Sequence, residues 1–389
     1  MRIERIEVIQ LEASFAKLFG GSDKVPPSLL FPGASFASRP RFGQASTLVR
    51  ITTDDGYVGV GEAWGLPSSS IPAVIIEEVF APMLIGVDPF ATSVHWDRMY
   101  GTLNRMGNTR GFAMEAMSAI DMACWDLKGR MTGMPIHALL GGRHRERIDC
   151  YASPVYFFDE PAESAAKALE YVNEGFRAIK VKAGRSIETD LKHLASVQDA
   201  VGPDVKLLVD MNCAYDVRTA ITLARELEAF NILWFEEPIP PEDAEGLLAI
   251  HRAIRIPLAT GENEFTPQGF RDMLRLGAVD IIMPNVTRAG GFTGLDRIAK
   301  LAEAFSVKIA LHGVGSGIQV AAAVQAMAAY GNAYLYEYNR LLNPLREALI
   351  EPFPTFADGA LVVPDGPGLG VELNSSTVDQ YAISTSVKE

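Results

Sequence analysis

Apolar and polar residues alternate along Ile3–Leu11 and again along Ser46–Ala63, where Asp54-Asp55-Gly56 interrupts the run. A period of two marks half-buried strands, and an acidic-glycine turn between two of them marks a hairpin, so an antiparallel meander is expected to open the chain. After Gly65 the period lengthens, and Pro72–Leu84, Ala91–Leu103 and Gly111–Met131 carry apolar residues at helical spacing. Sheet followed by helices reads as an α+β domain, residues 1–125. Between the strand regions lies Gly20–Pro40, rich in Gly, Pro and Ser. A loop of that length inside a compact domain is expected to be an active-site lid rather than a surface excursion.

From Arg147 onward, short apolar runs with β-branched residues recur at Ile148–Ala152, Ala178–Lys182, Lys206–Asp210, Leu233–Glu236, Pro257–Gly261, Val279–Met283, Val307–Leu311 and Tyr334–Glu337. Helix-period segments separate most neighbours. Strands alternating with helices make parallel βαβ units, and eight in one block predict a closed (β/α)8-type barrel over residues 126–340 rather than an open sheet. The irregular tail, 341–389, with its Pro364–Gly370 turn sequence, is expected to return to the first domain. The fold class is thus α/β, a barrel with an N-terminal α+β capping domain.

Catalytic groups of such barrels stand at the C-terminal strand ends. Here those ends read Lys180 and Lys182, Asp210, Glu236, Glu262, Asn285, His312 and Glu337, with steps from Lys182 of 28, 26, 26, 23, 27 and 25 residues. Each step is one βα unit, so these groups are expected around one mouth. Asp210, Glu236 and Glu262 would repel one another there unless a cation sat between them. Oxygen-only donors point to Mg²⁺, with Mn²⁺ as the alternative; N-caps or loop salt bridges are the plainer reading of any one carboxylate alone. Glu237 should face away from Glu236 along the strand and serve structure. Lys180 and Lys182, two apart, share a face. Two ammonium groups that close, beside a cation, are expected to lower each other's pKa, which makes Lys182 a candidate general base and leaves Lys180 to hold a substrate carboxylate. Abstraction of a proton α to a carboxylate needs strong stabilisation of a doubly charged enediolate, and a divalent cation on its oxygens is the strongest source.

Composition narrows the partners. With 48% hydrophobic residues the 389-residue chain can bury a large core, and 35 basic against 48 acidic residues give a net charge of −13 with no like-charge run, against a nucleic-acid partner. Cys124, Cys150 and Cys213 form no CxxC pair and are expected to be buried free thiols in a reducing cytoplasm. The N-terminal residues never become an unbroken apolar stretch, so no signal peptide or membrane anchor is expected. No GxGxxG follows the first strand, no P-loop is present, and Gly315-Ser316-Gly317 lacks the nucleophile-elbow spacing.

Ala116–Asp126, Lys180-Val181-Lys182, Val209-Asp210-Met211-Asn212, Glu236-Glu237-Pro238, Gly261-Glu262-Asn263 and Gly290-Gly291 together resemble the mandelate racemase and muconate lactonizing enzyme branch of the enolase superfamily, over essentially the full length. A Lys or His base working with Mg²⁺ is that superfamily's general arrangement. The resemblance implies that Asp210, Glu236 and Glu262 bind Mg²⁺, that Lys182 is the base on one face, that Asn212 belongs to the substrate site, and that Glu337 hydrogen-bonds the substrate carboxylate. It also implies a modified (β/α)7β barrel whose mouth is capped by the first domain, with loops near Ser14–Ala37 and Pro67–Ser70 touching substrate, and a symmetric homo-oligomer. The racemase type pairs a strand-seven histidine with a strand-six aspartate; here His312 is present but the partner reads Asn285, which can orient the ring without supplying negative charge. Arg288 is a candidate anchor for an acidic substrate group. From His312 to Gly370 the sequence is most similar to acid-sugar enzymes of the branch, such as galactarolactone cycloisomerases. The expected reaction is therefore β-elimination on a sugar acid or its lactone, by dehydration or lactone isomerisation, with His312 a weak base or a general acid. A racemase or epimerase, and a non-catalytic sugar-acid binder, are the alternatives.

Overall fold

Three strands, β1 (Ile3–Ser14), β2 (Gly43–Thr53) and β3 (Val58–Trp64), pair antiparallel as the alternation requires. The computed structural model describes all residues from Met1 to Glu389. The chain's last strand, Ala382–Lys388, pairs antiparallel with the free edge of β1, so the C-terminus completes the sheet that the N-terminus begins. Helices Thr92–Arg105 and Phe112–Thr132 follow. The segment predicted as one helix from Pro72 is instead wound as α from Ser70 to Ile75, as a wider π turn over Ile76–Phe80, and as α again over Ala81–Leu84. Pro82 has no N–H to give the preceding turn, and its ring crowds that turn's carbonyl, which accounts for the widening.

Helix Phe112–Thr132 joins the two halves. It is buried on all sides, with 16 of its 21 residues inside, so it is a core element rather than an amphipathic cover. One side lies on β3 so closely that a Cβ on Gly61 would overlap the Ala119 carbonyl. The other side meets the barrel: Trp125 Nε1 donates to Thr293 Oγ1 at 2.9 Å, Gly290 N donates to Ser118 Oγ at 2.9 Å, and Thr293 N donates to Asp121 Oδ2 at 2.9 Å.

Eight parallel strands form the barrel: β4 (Arg147–Val155), β5 (Ala178–Lys182), β6 (Lys206–Asp210), β7 (Ile232–Glu236), β8 (Leu258–Thr260), β9 (Ile281–Ile282), β10 (Lys308–Ile309) and β11 (Tyr336–Asn339). β11 pairs with β4, and Tyr334 N to Ile309 O (2.8 Å) and Glu337 N to Leu311 O (3.2 Å) close the ring. Alternation decides what each strand sends inward. Tyr151, Leu208, Trp234, Ala259, Ile281, Met283 and Ala310 fill the lumen, while Ile179, Val181, Leu207, Val209 and Phe235 face the surrounding helices. Ser186, Asp216, Asp243, Thr266 and Ser316 cap the helices that follow five of the strands, which fixes where each loop leaves the mouth.

Gly20–Pro40 is folded into short helical turns, Ser22–Lys24, Pro27–Leu30 and Ala34–Phe36. Phe15, Val25 and Leu29 pack against Tyr156 and Leu341 at the barrel mouth, so the segment sits on the mouth. All three cysteines are free thiols; Cys124 and Cys150 are buried, but Cys213 is half-buried rather than fully enclosed. No helix is long and apolar enough to cross a membrane.

Candidate active site

The apolar lumen ends one layer below the mouth, where the inward positions turn ionic. Lys180, Lys182, Asp210 and Glu236 are the next inward residues of β5, β6 and β7, and Glu337 is the inward residue of β11. Glu262 arrives from the loop after β8. Ligand atoms of Asp210, Glu236 and Glu262 lie within 4.8 Å of one another. Three carboxylates that close, with no sulfur or imidazole in the set, suit a hard divalent cation.

Lys180 is fully buried and stands among three carboxylates: Glu236 Oε1 at 2.7 Å, Glu337 Oε1 at 2.8 Å and Asp210 Oδ2 at 3.2 Å. Lys182 Nζ reaches Asp210 Oδ2 at 2.5 Å and Asn212 Oδ1 at 2.9 Å. While no cation shares their charge, these carboxylates act on both ammonium groups more strongly than the ammonium groups act on each other. Burial opposes charge on both, yet Glu236 and Glu337 hold Lys180 well above the ordinary lysine range, and Asp210 raises Lys182 despite the neighbouring ammonium. Lys180, enclosed by carboxylates and absent from the cavity wall, is placed to organise them rather than to hold a substrate carboxylate.

Asn212 adopts a left-handed backbone (φ 43°), which turns its N–H onto Asp210 Oδ1 at 2.9 Å and its side chain toward Lys182. Glu337 accepts from Ser153 Oγ at 2.6 Å and from Gly313 N at 3.0 Å besides Lys180. Against the effect of burial, Lys180 and His312 keep its pKa well below the usual carboxylate range. Glu337 anchors Lys180 through Oε1 and the turn after β10 through Oε2, and it lines the cavity.

Asn285 is locked: its Oδ1 accepts from Thr287 N and Thr287 Oγ1, both at 2.9 Å, so its amide nitrogen faces His312 Nδ1 at 2.9 Å and Val314 O at 3.1 Å. The imidazole must accept at Nδ1 and carry its proton on Nε2, a tautomer assigned from this network. Nε2 lies 3.2 Å from Glu262 Oε2 and 3.7 Å from Glu337 Oε2. Burial, only partly offset by these carboxylates, lowers the His312 pKa.

Lys182, Asn212, Glu262, His312 and Glu337 share one cavity of about 90 Å³, roofed by Pro32, Gly33, Phe36, Arg41 and Trp64 of the first domain. Gly33 seats the lid: a Cβ there would stand 3.1 Å from Asn212 Oδ1 and 3.3 Å from Lys182 Cδ. Pro67, Ser68, Ser69 and Ser70 line a neighbouring outer groove of about 560 Å³ instead. Arg288 does not reach the cavity. Its guanidinium donates to Glu115 Oε1 (3.0 Å), Glu262 O (2.8 Å) and Asn263 Oδ1 (3.1 Å) and stacks 4.2 Å from the Trp64 ring centroid. It holds the backbone of Glu262 and is already neutralised, so the substrate-anchoring role expected of it is corrected.

Glu237 breaks the strand alternation, because a φ of 40° ends β7 there. Its buried carboxylate takes Asn263 Nδ2 at 2.9 Å and so braces the loop carrying Glu262 from behind. Trp64, Phe36 and Arg41 escaped the strand-end reading because they come from the other domain, and no period connects them to the barrel.

Residues 34–141 match the N-terminal domain of the mandelate racemase / muconate lactonizing enzyme family, and residues 163–377 match its enolase C-terminal domain-like partner. The chain is 38% identical over 349 residues to D-galactarolactone cycloisomerase of Agrobacterium fabrum, covering 87% of this chain and 91% of that protein. It is 32% identical over 334 residues to arabinonate dehydratase of Saccharolobus solfataricus, covering 85% and 89%. The solved 3,6-anhydro-D-galactonate cycloisomerase of Zobellia galactanivorans superposes with a TM-score of 0.87 at 32% identity, covering 99% of this chain and 100% of that one. Barrel, cap and carboxylate triad thus agree with the matches: the chain belongs to the mandelate racemase / muconate lactonizing enzyme branch of the enolase superfamily and is a lyase or isomerase of that group.

Proposed function

We propose that this enzyme removes the proton α to the carboxylate of a hydroxylated sugar acid or its lactone and then expels the oxygen on the β carbon. The observation that carries the reading is the Asn285–His312 hydrogen bond. It gives the cavity a histidine that presents a proton at Nε2, and it leaves Lys182 as the group that would serve as base once a cation held by the triad draws charge from Asp210. Racemisation needs a base on each face of the α carbon; elimination needs a base on one side and a donor near the departing oxygen. β5 and β10, which carry the two groups, are three strands apart around the ring, so Lys182 and His312 approach the cavity from different sides.

Asp210, Glu236 and Glu262 would hold the divalent cation, Mg²⁺ by the hardness of the donors. When bound, that cation supplies positive charge where the enediolate develops. As the neutral amine, Lys182 Nζ takes the α-proton, and Asn212 Oδ1, 2.9 Å from that nitrogen, keeps it aimed. The electrons left on the α carbon form the double bond, and the C–O electrons leave with the β oxygen, which His312 Nε2–H stabilises by a hydrogen bond; a lactone oxygen leaves as a carboxylate, and a hydroxyl leaves as water once the proton taken by Lys182 returns to it through solvent. The relatives' names, dehydratase and cycloisomerase, describe two versions of this step: loss of water, or opening of a lactone ring.

Proton NMR in D₂O with Mg²⁺ tests the reading on aldonic and aldaric acids and their lactones. Loss of the α-proton signal together with an unsaturated or rearranged product is expected for one stereochemical series. Lys182→Ala should abolish the exchange while Mn²⁺ binding persists; exchange surviving in that variant would exclude Lys182 as the base. Exchange with inversion and no other product would establish an epimerase instead.

A further inference from the structure

Three arginines of this protein are buried, and they differ in what neutralises them. Arg288 has Glu115 at 3.0 Å, and Arg346 has Glu347 at 2.7 Å. Arg41 has only neutral partners: its Nε donates to the Gly43 carbonyl at 3.2 Å and its Nη2 to Gln44 Oε1. Gln44 cannot turn away, because its Nε2 is engaged by the Leu342 carbonyl at 2.6 Å. The guanidinium also lies 5.6 Å from the Phe36 ring centroid, which fixes its plane. Arg41 is thus 6% exposed, held in one orientation, and without a countercharge. Burial lowers its pKa to about 10, with Tyr156 opposing that shift and Arg346 adding to it.

Buried charges in folded proteins are normally paired, and a guanidinium fork matches the two oxygens of a carboxylate. Arg41 lines the cavity that also holds Lys182, Glu262 and His312, and it does so from the cap, whereas those groups rise from the barrel. Trp64 shares that wall, and its buried indole N–H has no acceptor in the protein.

We infer that Arg41 seats a second carboxyl group at the far end of the substrate, so that the enzyme acts on a hydroxylated dicarboxylic acid or its lactone in preference to a monocarboxylic sugar acid. The inference rests on the proposed function, since it takes the substrate's first carboxylate to lie at the carboxylate triad and Lys182. The distal carboxylate has two sources. In an open-chain diacid it is present from the start. In a lactone whose ring oxygen is the β leaving group, the α C–H and β C–O bonds break, the C=C bond forms, and the distal carboxylate is released by the step itself.

The test compares a hexaric acid, its lactone and the hexonic acid of matching configuration, in wild type, Arg41→Met and Arg41→Lys. Wild type is expected to favour the dicarboxylic series in kcat/KM by about 100-fold, the scale of a charged bidentate contact, and Arg41→Met to bring that preference close to one. With the open diacid the loss should fall mainly on KM; with the lactone it should fall on kcat, because the charge appears only as the ring opens. Arg41→Lys keeps the charge without the fork and should recover part of the preference. Equal turnover of diacid and monoacid by wild type, or a preference that survives in Arg41→Met, overturns the assignment. Failure of every acid to lose its α-proton would sink the proton-abstraction reading instead. Calorimetric titration of the hexaric acid then decides Arg41, since about 100-fold weaker binding in Arg41→Met upholds its role, whereas equal binding, or none to wild type, refutes it.

Discussion

Glu62 is the joint between cap and barrel. It sits fully buried on β3, yet its carboxylate accepts from Ser316 N (2.8 Å), Ser316 Oγ (2.6 Å) and Gln319 N (3.0 Å) at the start of barrel helix Gly317–Ala329, and from Ser46 Oγ (2.9 Å) on β2. A carboxylate there also suits the positive end of that helix. In Glu62→Ala the two serine hydroxyls can rotate toward other acceptors, but the backbone N–H groups of Ser316 and Gln319 cannot. Each buried donor left unpaired costs about 2 kcal/mol, so the variant should lose about 4 kcal/mol. With an unfolding entropy of about 2.1 cal/mol/K per residue, that loss corresponds to a fall in Tm of about 5 °C if the protein unfolds in one step. Glu62→Gln keeps one acceptor oxygen and should fall between. Calorimetry of the three proteins gives the ordering directly. A Glu62→Ala protein melting within about 1 °C of wild type would show that these bonds do not hold the domains together, and the reasoning would fail.

Arg288→Met leaves Glu115 buried without its partner and should cost about 3–5 kcal/mol at neutral pH. Burial already pushes Glu115 up to about 7 against the pull of Arg288. An acid raised on folding contributes stability that is complete below its unfolded value and lost as pH rises through its folded value. Removing the guanidinium raises Glu115 further, so the variant's deficit should be larger at about pH 8 than at about pH 5.5 in urea titrations; an equal deficit at both would contradict this. Asn285→Asp replaces the donor facing His312 Nδ1 by an acceptor, so the ring should move its proton to Nδ1 and free Nε2 to accept. Epimerised substrate should then appear in D₂O beside the elimination product, and its absence would remove the tautomer argument. Mg²⁺ at about 100 times its Kd should stabilise the protein by about 2.7 kcal/mol, or about 3 °C, and Asp210→Asn should lose most of that shift; a shift unchanged in the variant would place the cation elsewhere.

The strand-end residues were legible because a barrel repeats. One inward group per βα unit, at steps of 23 to 28 residues from Lys182 to Glu337, is a one-dimensional signal, and the structure brings those side chains to one mouth. Asn285 was legible for the same reason, as the wrong residue type at an expected place. What misled were groups whose behaviour depends on distant neighbours. Spacing put Lys180 and Lys182 at one mouth with Asp210, Glu236 and Glu337 but not which contacts form there: Lys180 bridges Glu236, Glu337 and Asp210, and Lys182 meets Asp210. Arg288 looked free because Glu115, its partner, is 173 residues away.

The sequence by itself determined the barrel, the carboxylate triad and the lysine pair, since each follows from local periodicity and from which residue type ends a strand. Only the tertiary structure decided which cations are spent and which are free. Glu115 takes Arg288, Glu347 takes Arg346, and Arg41 is left facing the cavity between cap and barrel. Pairing energies depend on distance in space and on burial, and neither is encoded at any fixed separation along the chain.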